Sequence, residues 1–324
     1  MKKENLAPSA LIFQDSHTAP GHISLFFEPC INKKNPLRQG SRGAGISFKK
    51  CTTTKIEVRH SEKFEIEVYI NGVKKNAPVT LWIVNTFRIQ SLKFKVQIST
   101  ETHVPVSQGF GTSASAAIGT AMILYKFLGS HSTLRILRST FHVPRSTFDV
   151  RGSALRIPHS ALYIAHLAEL ENKTGLGDVS AITVGGFEIR VKPGMPYYGV
   201  IKNIKTDIKK ICVGILGKSL KSPTILTNKR LMARIKKIGR YCTEKLIEEP
   251  SVENLFTLGN YFSRKTGLQT EKITECIEDC SPYGYAAQCM LGNSVVAVGN
   301  LTKLKNIISK FGTPKILTVE RNPY

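Results

Sequence analysis

The chain has 324 residues, 41% of them hydrophobic and 21% charged. That is an ordinary globular balance, enough for about two domain-sized cores, and it excludes a disordered chain. Lys and Arg total 46 against 23 Asp and Glu, a net charge of +23, so anionic partners, nucleic acid and nucleotides alike, come into question. No apolar run reaches the roughly 18 residues of a membrane span. The start, MKKENLAPSALIFQD, lacks the apolar stretch and cleavage site of a signal peptide. The cysteines at 30, 51, 212, 242, 276, 280 and 289 are scattered, which fits reduced thiols in a cytoplasmic protein better than a structural zinc site.

Along the chain, residues 17–30 mix turn residues with an apolar run, and GSRGAGIS at 40–47 is glycine-rich. Phe64, Ile66, Val68 and Ile70 alternate as a strand that ends in an Asn71-Gly72 turn. Residues 78–90 switch to helical spacing, and Phe94, Val96 and Ile98 alternate again. A loop then leads into a helix from about Ser113 to Leu128. Residues 129–160 carry five arginines and one acid and read as an insertion with a short amphipathic piece around Leu134, Leu137 and Phe141. A helix over about 160–172 follows, then glycine-punctuated strands over 181–191. After KPGMPYYG, taken as a linker, strands are expected at 211–216, 295–298 and 315–319. Helices are expected at about 228–247, 252–264, 270–280 and 302–311. Mixed strands and helices throughout give an α+β class in two lobes, 1–192 and 193–324.

The segment richest in chemistry runs from Pro105 to Ala117. Gly109 and Gly111 flank Phe110, and Thr112, Ser113, Ala114 and Ser115 open a helix of small residues. Glycines allow close backbone approach, and a helix start offers unpaired N–H groups, so the combination suits phosphate. It is neither GxxxxGK[ST] nor GxGxxG. The same residues would equally serve close helix packing.

The segment PVSQGFGTSASAA resembles the glycine-rich motif of the GHMP kinases. Ala19-Pro20-Gly21-His22-Ile23 resembles that superfamily's N-terminal element, and GLGDV at 175–179 lies where many members place a catalytic aspartate. PGHISLFFEP, GSRGAG, AH-x-AE with N-x-TGLGDV, and GGFEIRVKPG are together similar to one branch, the archaeal pantoate kinases; these blocks span most of 19–194. The C-terminal half is similar only loosely, with MLGNS (290–294) where the family has a denser glycine run.

The resemblance implies the two-lobed GHMP architecture, with a ferredoxin-like C-terminal lobe and the active site in the cleft between lobes. It implies ATP and Mg²⁺ as cofactors, and phosphorylation of the terminal hydroxyl of pantoate for coenzyme A synthesis. Pro105, Gly109, Phe110, Gly111, Thr112, Ser113, Ala114 and Ser115 would form the nucleotide loop. Ser113 and Glu169 would be metal ligands, and Asp178 the base. Ser113 would also make a good N-cap, and Asp178 an ordinary turn residue. Glu169 and Glu171, two apart on a helix, face nearly opposite ways; the AHLAE similarity selects Glu169. For the acceptor's carboxylate and hydroxyls, Arg190, Arg42, Ser41 and His166 are candidates, because arginine grips carboxylates with paired hydrogen bonds. His22, in the Ala19–His22 element, is a further candidate there, although a lone histidine is more often structural. Homodimers are common among similar proteins, which makes a homodimer one expected assembly. Two alternatives stand beside this: a family kinase for another small hydroxy acid, such as homoserine or mevalonate, and a basic nucleic-acid-binding protein. Residues 201–240 hold twelve Lys or Arg and one acid but no aromatic residue, which disfavours the second.

Overall fold

The computed structural model describes residues 10–130 and 159–324, except 33, 88, 90–91, 196–197 and 219–227. The insertion expected at about 129–160, with its amphipathic piece, lies almost wholly outside the described residues. Two long strands, β1 (Leu11–Cys30) and β2 (Gly40–His60), pair antiparallel along most of their length around a 3-10 turn at Pro36–Arg38. The other edge of β2 is divided. From Thr52 to His60 it pairs β5 (Phe94–Thr102), and from Gly43 to Ile46 it pairs β6 (Phe187–Lys192). β3 (Glu65–Ile70) runs parallel to β5, β4 (Val73–Lys74) turns back on β3, and β7 (Val200–Asn203) lies outside β6.

Helices α1 (Pro78–Thr86), α2 (Thr112–Ser130), α3 (His159–Glu171) and α4 (Asp178–Val184) enclose one core with the outer part of this sheet. The second half adds β8 (Lys210–Ile215), α5 (Lys229–Glu248), α6 (Val252–Thr266), α7 (Glu271–Cys280), β9 (Gly284–Gln288), β10 (Ser294–Gly299), α8 (Leu301–Phe311) and β11 (Thr313–Thr318). Its four strands are antiparallel in the order β11-β8-β10-β9, which is the ferredoxin-like arrangement.

Ile235, Gly239, Cys242 and Leu246 recur at helical spacing on the buried face of α5. That face lies on β1 so closely that a Cβ on Gly239 would collide with the backbone of Phe27. A second core therefore joins β1, β2 and β6 to α5, α6 and the second sheet, and a third fills the space between that sheet and α7 and α8.

The α+β class holds, and the second sheet has the strand order expected of a ferredoxin-like C-terminal half. Two local expectations are corrected. Residues 181–184 are helical, not strand: α4 starts at Asp178 and ends at Gly185, whose φ of +74° stops it. Residues 17–30 and 40–47 are continuous strand rather than turn-rich segments. β7 keeps 200–203 in the first sheet.

Candidate active site

A cleft of about 430 Å³ opens beside the start of α2. It is lined by Ile70, Asn76, Pro78 and Thr80, by Ser24, Ser41, Asp178 and Leu291, and by Gly109 to Ser113. Gly109 and Gly111 sit at φ +79° and +65°, and a Cβ on either would lie 2.9 Å from a backbone oxygen, that of Cys289 or His22. Only glycine fits a loop gripped on both sides in this way. The second half of the chain supplies one side of the grip: Ser294 Oγ donates to Gln108 O at 2.5 Å, and Gln108 Nε2 to Gly217 O at 2.9 Å. The first helical bond of α2 is Ser115 N to Gly111 O, 3.0 Å. Amides ahead of it have no intrahelical acceptor and are free for an anion.

Thr112 and Ser113 line the cleft, but not every expected loop residue does. Phe110 turns its ring into the core, edge-on to Phe48 at 6.3 Å, so it lends the cleft little beyond backbone. Ala114 is fully buried, and Ser115 Oγ is used structurally, donating to Ala19 O at 3.1 Å and bonding Thr52 Oγ1 at 2.8 Å. Pro105 is exposed, and its neighbours Val106 and Ser107 line the cleft instead.

Glu169, from α3, points to the loop and Glu171 to solvent. Ser113 Oγ donates to Glu169 Oε1 at 2.5 Å, and Thr174 Oγ1 to the same oxygen at 2.8 Å. Glu169 Oε2 is buried without a partner. A Cβ on Gly175 would lie 2.5 Å from it and 3.1 Å from Asp178 Oδ2, so a glycine leaves the two carboxylates facing a shared gap. Burial raises the Glu169 carboxyl to about 7, against the hydrogen bonds from Ser113 and Thr174. An orphaned carboxylate oxygen beside a serine hydroxyl is a donor set that fits Mg²⁺.

Asp178 is the first residue of α4, its side chain 25% exposed at the cleft. Its Oδ1 lies 2.7 Å from Nδ1 of His22, and the other ring nitrogen of His22 lies 2.9 Å from Glu188 Oε1. Arg190 Nη1 donates to that same Glu188 oxygen, and Nη2 to Ser24 Oγ at 3.1 Å. Burial alone would push the His22 pKa down; hydrogen bonds to the carboxylates on either side outweigh it and hold the ring above its ordinary value. His22, in sequence a candidate outweighed by a structural role, is thus the hub of a buried charged row, and Glu188 was missed altogether. The available signal was the pair Glu188 and Arg190, two apart on a strand and therefore on one face.

The four residues proposed for the acceptor separate. Ser41 lines the cleft, and Arg190 lies beside it, its Nε unpartnered and close to Gly177. Arg42 does not reach the cleft. Next to Ser41 on a strand it faces the opposite way, donating from Nη1 to Glu28 Oε2 at 3.0 Å and from Nε to Val191 O at 3.0 Å. His166 is also outside the lining: its Nε2 bonds Gln39 O at 3.1 Å, tying α3 to the β1–β2 turn. Burial lowers its pKa from 6.5 to about 4, so the imidazole is neutral there. A base depressed on folding stabilises above its unfolded pKa and is lost as pH falls, here from 6.5 toward about 4. At about 1.4 kcal/mol per pKa unit, His166→Gln should remove roughly 3 kcal/mol of the acid-side loss of stability. Denaturant midpoints of both proteins between these pH values check this; parallel curves would acquit His166.

The GHMP kinases N terminal domain model matches residues 77–150. Pantoate kinase of Thermococcus kodakarensis is 30% identical over 306 residues, covering 91% of this chain and 92% of that one. Pantoate kinase of Methanocaldococcus jannaschii is 29% identical, covering 93% and 98%. A solved structure described as a phosphotransferase related to the CoA biosynthesis pathway superposes with a TM-score of 0.77 at 27% identity, covering 95% of this chain and 97% of the other.

Proposed function

The chain belongs to the GHMP kinases, and we propose that it is an ATP-dependent pantoate kinase, phosphorylating the terminal hydroxyl of pantoate to give 4-phosphopantoate for coenzyme A synthesis. The observation that carries this reading is the 30% identity to a pantoate kinase along 91% of the chain, joined to a cleft that sets Asp178 beside the glycine loop.

The amides at the start of α2 hold phosphate oxygens, and the end of the cleft at Ile70 and Asn76–Thr80 takes the nucleoside. Ser113 and Glu169 would hold Mg²⁺, which would supply charge neutralisation for the phosphates. Asp178 takes the proton of the attacking hydroxyl at Oδ2, since Oδ1 is occupied by His22. Ser24 and Ser41 bind acceptor oxygens, and the unpartnered Nε of Arg190 beside Gly177 supports a role toward the carboxylate. Phe27, Leu176, Met290 and Leu291 give that end an apolar wall for the acceptor's methyl groups. We divide the chain into lobes near residue 192, with β7 returning to the first. Its free thiols suit a reducing, cytoplasmic setting.

The test is ADP release from ATP and Mg²⁺ with pantoate, homoserine, mevalonate or shikimate as acceptor. Pantoate should give a kcat/KM at least about tenfold above the others, the effect of roughly 1.4 kcal/mol of differential transition-state binding. A better rate with mevalonate or homoserine would transfer the assignment within the family.

A further inference from the structure

Glu188 lies in the GGFEIRVKPG block without an expected role and does not line the cleft, yet it is fully buried. A buried carboxylate is costly unless it is paired. Here Oε1 takes two donors, Arg190 Nη1 and His22 Nε2 at 2.9 Å, while Oε2 has none. His22 is 1% exposed and has a carboxylate oxygen at each ring nitrogen, 2.7 Å to Asp178 and 2.9 Å to Glu188. A neutral imidazole has one N–H and one lone pair, and could satisfy only one of these acceptors. Arg190 Nη1 also lies 3.2 Å from Nε2, but a neutral ring accepting there would set its lone pair against Glu188 Oε1, 2.9 Å away; the ring that fits both carboxylates carries two protons. Its backbone N–H donates to Phe110 O at 3.3 Å, so the ring is also fixed to the glycine loop.

We propose that Glu188 is a positioning residue for the transfer: it holds His22 doubly protonated, so that Nδ1–H pins Asp178 Oδ1 and leaves Oδ2 directed to the cleft. This rests on reading Asp178 as the acceptor of the hydroxyl proton. The row Asp178, His22, Glu188, Arg190 alternates in sign, so each charge is neutralised by a neighbour without bulk water. The charged groups facing His22 are Asp178 from α4 and Glu188 and Arg190 from β6. From β2 it meets Gly45, where any Cβ would strike the ring, and from the loop only the backbone of Phe110 and Gly111. Burial opposes the imidazolium and the two carboxylates overcome it. Removal of either carboxylate should therefore release the second proton.

The experiment follows the His22 ring nitrogens by NMR in histidine-labelled protein, free of substrate, as pH is raised. The wild type should keep both ring protons well past the ordinary histidine value of about 6.5. Glu188→Gln and, separately, Asp178→Asn should each lower the pH at which the ring loses one. Glu188→Gln should also lower kcat about 10- to 100-fold, the range for an outer partner of a reacting group, with KM for ATP unchanged. A wild-type ring that titrates as ordinary histidine, or one unmoved by Glu188→Gln, overturns the proposal, as does an unchanged kcat. Should Glu188→Gln not fold, the wild-type titration and Asp178→Asn decide alone. Because the NMR is read without substrate, a doubly protonated ring in a protein that ignores pantoate would sink the substrate assignment and leave this one standing.

Discussion

Asp178→Asn is expected to lower turnover with pantoate about 10²- to 10⁴-fold, the usual contribution of a positioned proton acceptor. The side chain keeps its size, and its amide oxygen can still accept the 2.7 Å bond from His22 Nδ1, so α4 and the cleft wall stay in place. What is lost is the second carboxylate oxygen, the one facing the gap beside Gly175. An amide nitrogen there can donate but cannot take a proton. The amides of the glycine loop are untouched, so ATP affinity measured by calorimetry should stay within about twofold, under 0.5 kcal/mol. Turnover within tenfold of wild type would remove Asp178 as the proton acceptor and leave positioning of the two substrates as the whole of catalysis.

The loop and its two acidic partners were legible in the sequence because their chemistry is local. Gly109 and Gly111 mark positive φ wherever the rest of the chain goes, and Ser113, Glu169 and Asp178 stand in motif order. The substrate end was not legible, for a geometric reason. Ser41 and Arg42 adjoin, and on a strand only one of two neighbours can face the cleft. Recognising β2 would have excluded one of them, but its first half, Gly40 to Phe48, does not alternate. Its first half is covered by β1 and β6 at its edges and by buried cores on its faces, so apolar and small residues fall on both sides. The helix α4 was missed for the opposite reason. Ile182, Thr183 and Val184 have strand propensity, and packing of Val179 and Ile182 into the first core overrides it.

Burial likewise decided which polar residues matter. In GGFEIRV, Glu188 and Arg190 alternate with Phe187, Ile189 and Val191, yet β6 has α5 and the cleft wall against it and both charges are enclosed. Charges sealed beside a site must be matched by charges nearby. That condition links His22, an N-terminal motif residue, to a strand 166 positions later. Asp178, which lines the cleft, and Arg190 thereby become parts of one electrostatic unit.

Arg190→Ala tests that unit through stability as well as catalysis. It is expected to cost about 3–5 kcal/mol, because it leaves Glu188 with one cation in place of two and exposes Ser24 Oγ to an empty site. The loss should appear as a lowered urea midpoint with an unchanged slope. If the cost comes from the stranded carboxylate, a double variant, Arg190→Met with Glu188→Gln, should recover part of it, since neutral groups of similar volume need no counter-charge. Wholly additive losses would assign the effect to packing of the arginine stem instead. Residual folded Arg190→Ala protein should show a raised KM for pantoate and a KM for ATP near wild type, because the guanidinium borders Ser24, Ser41 and Gly177 at the acceptor end and has no contact with the glycine loop. A rise in KM for ATP alone would place the acceptor elsewhere in the cleft.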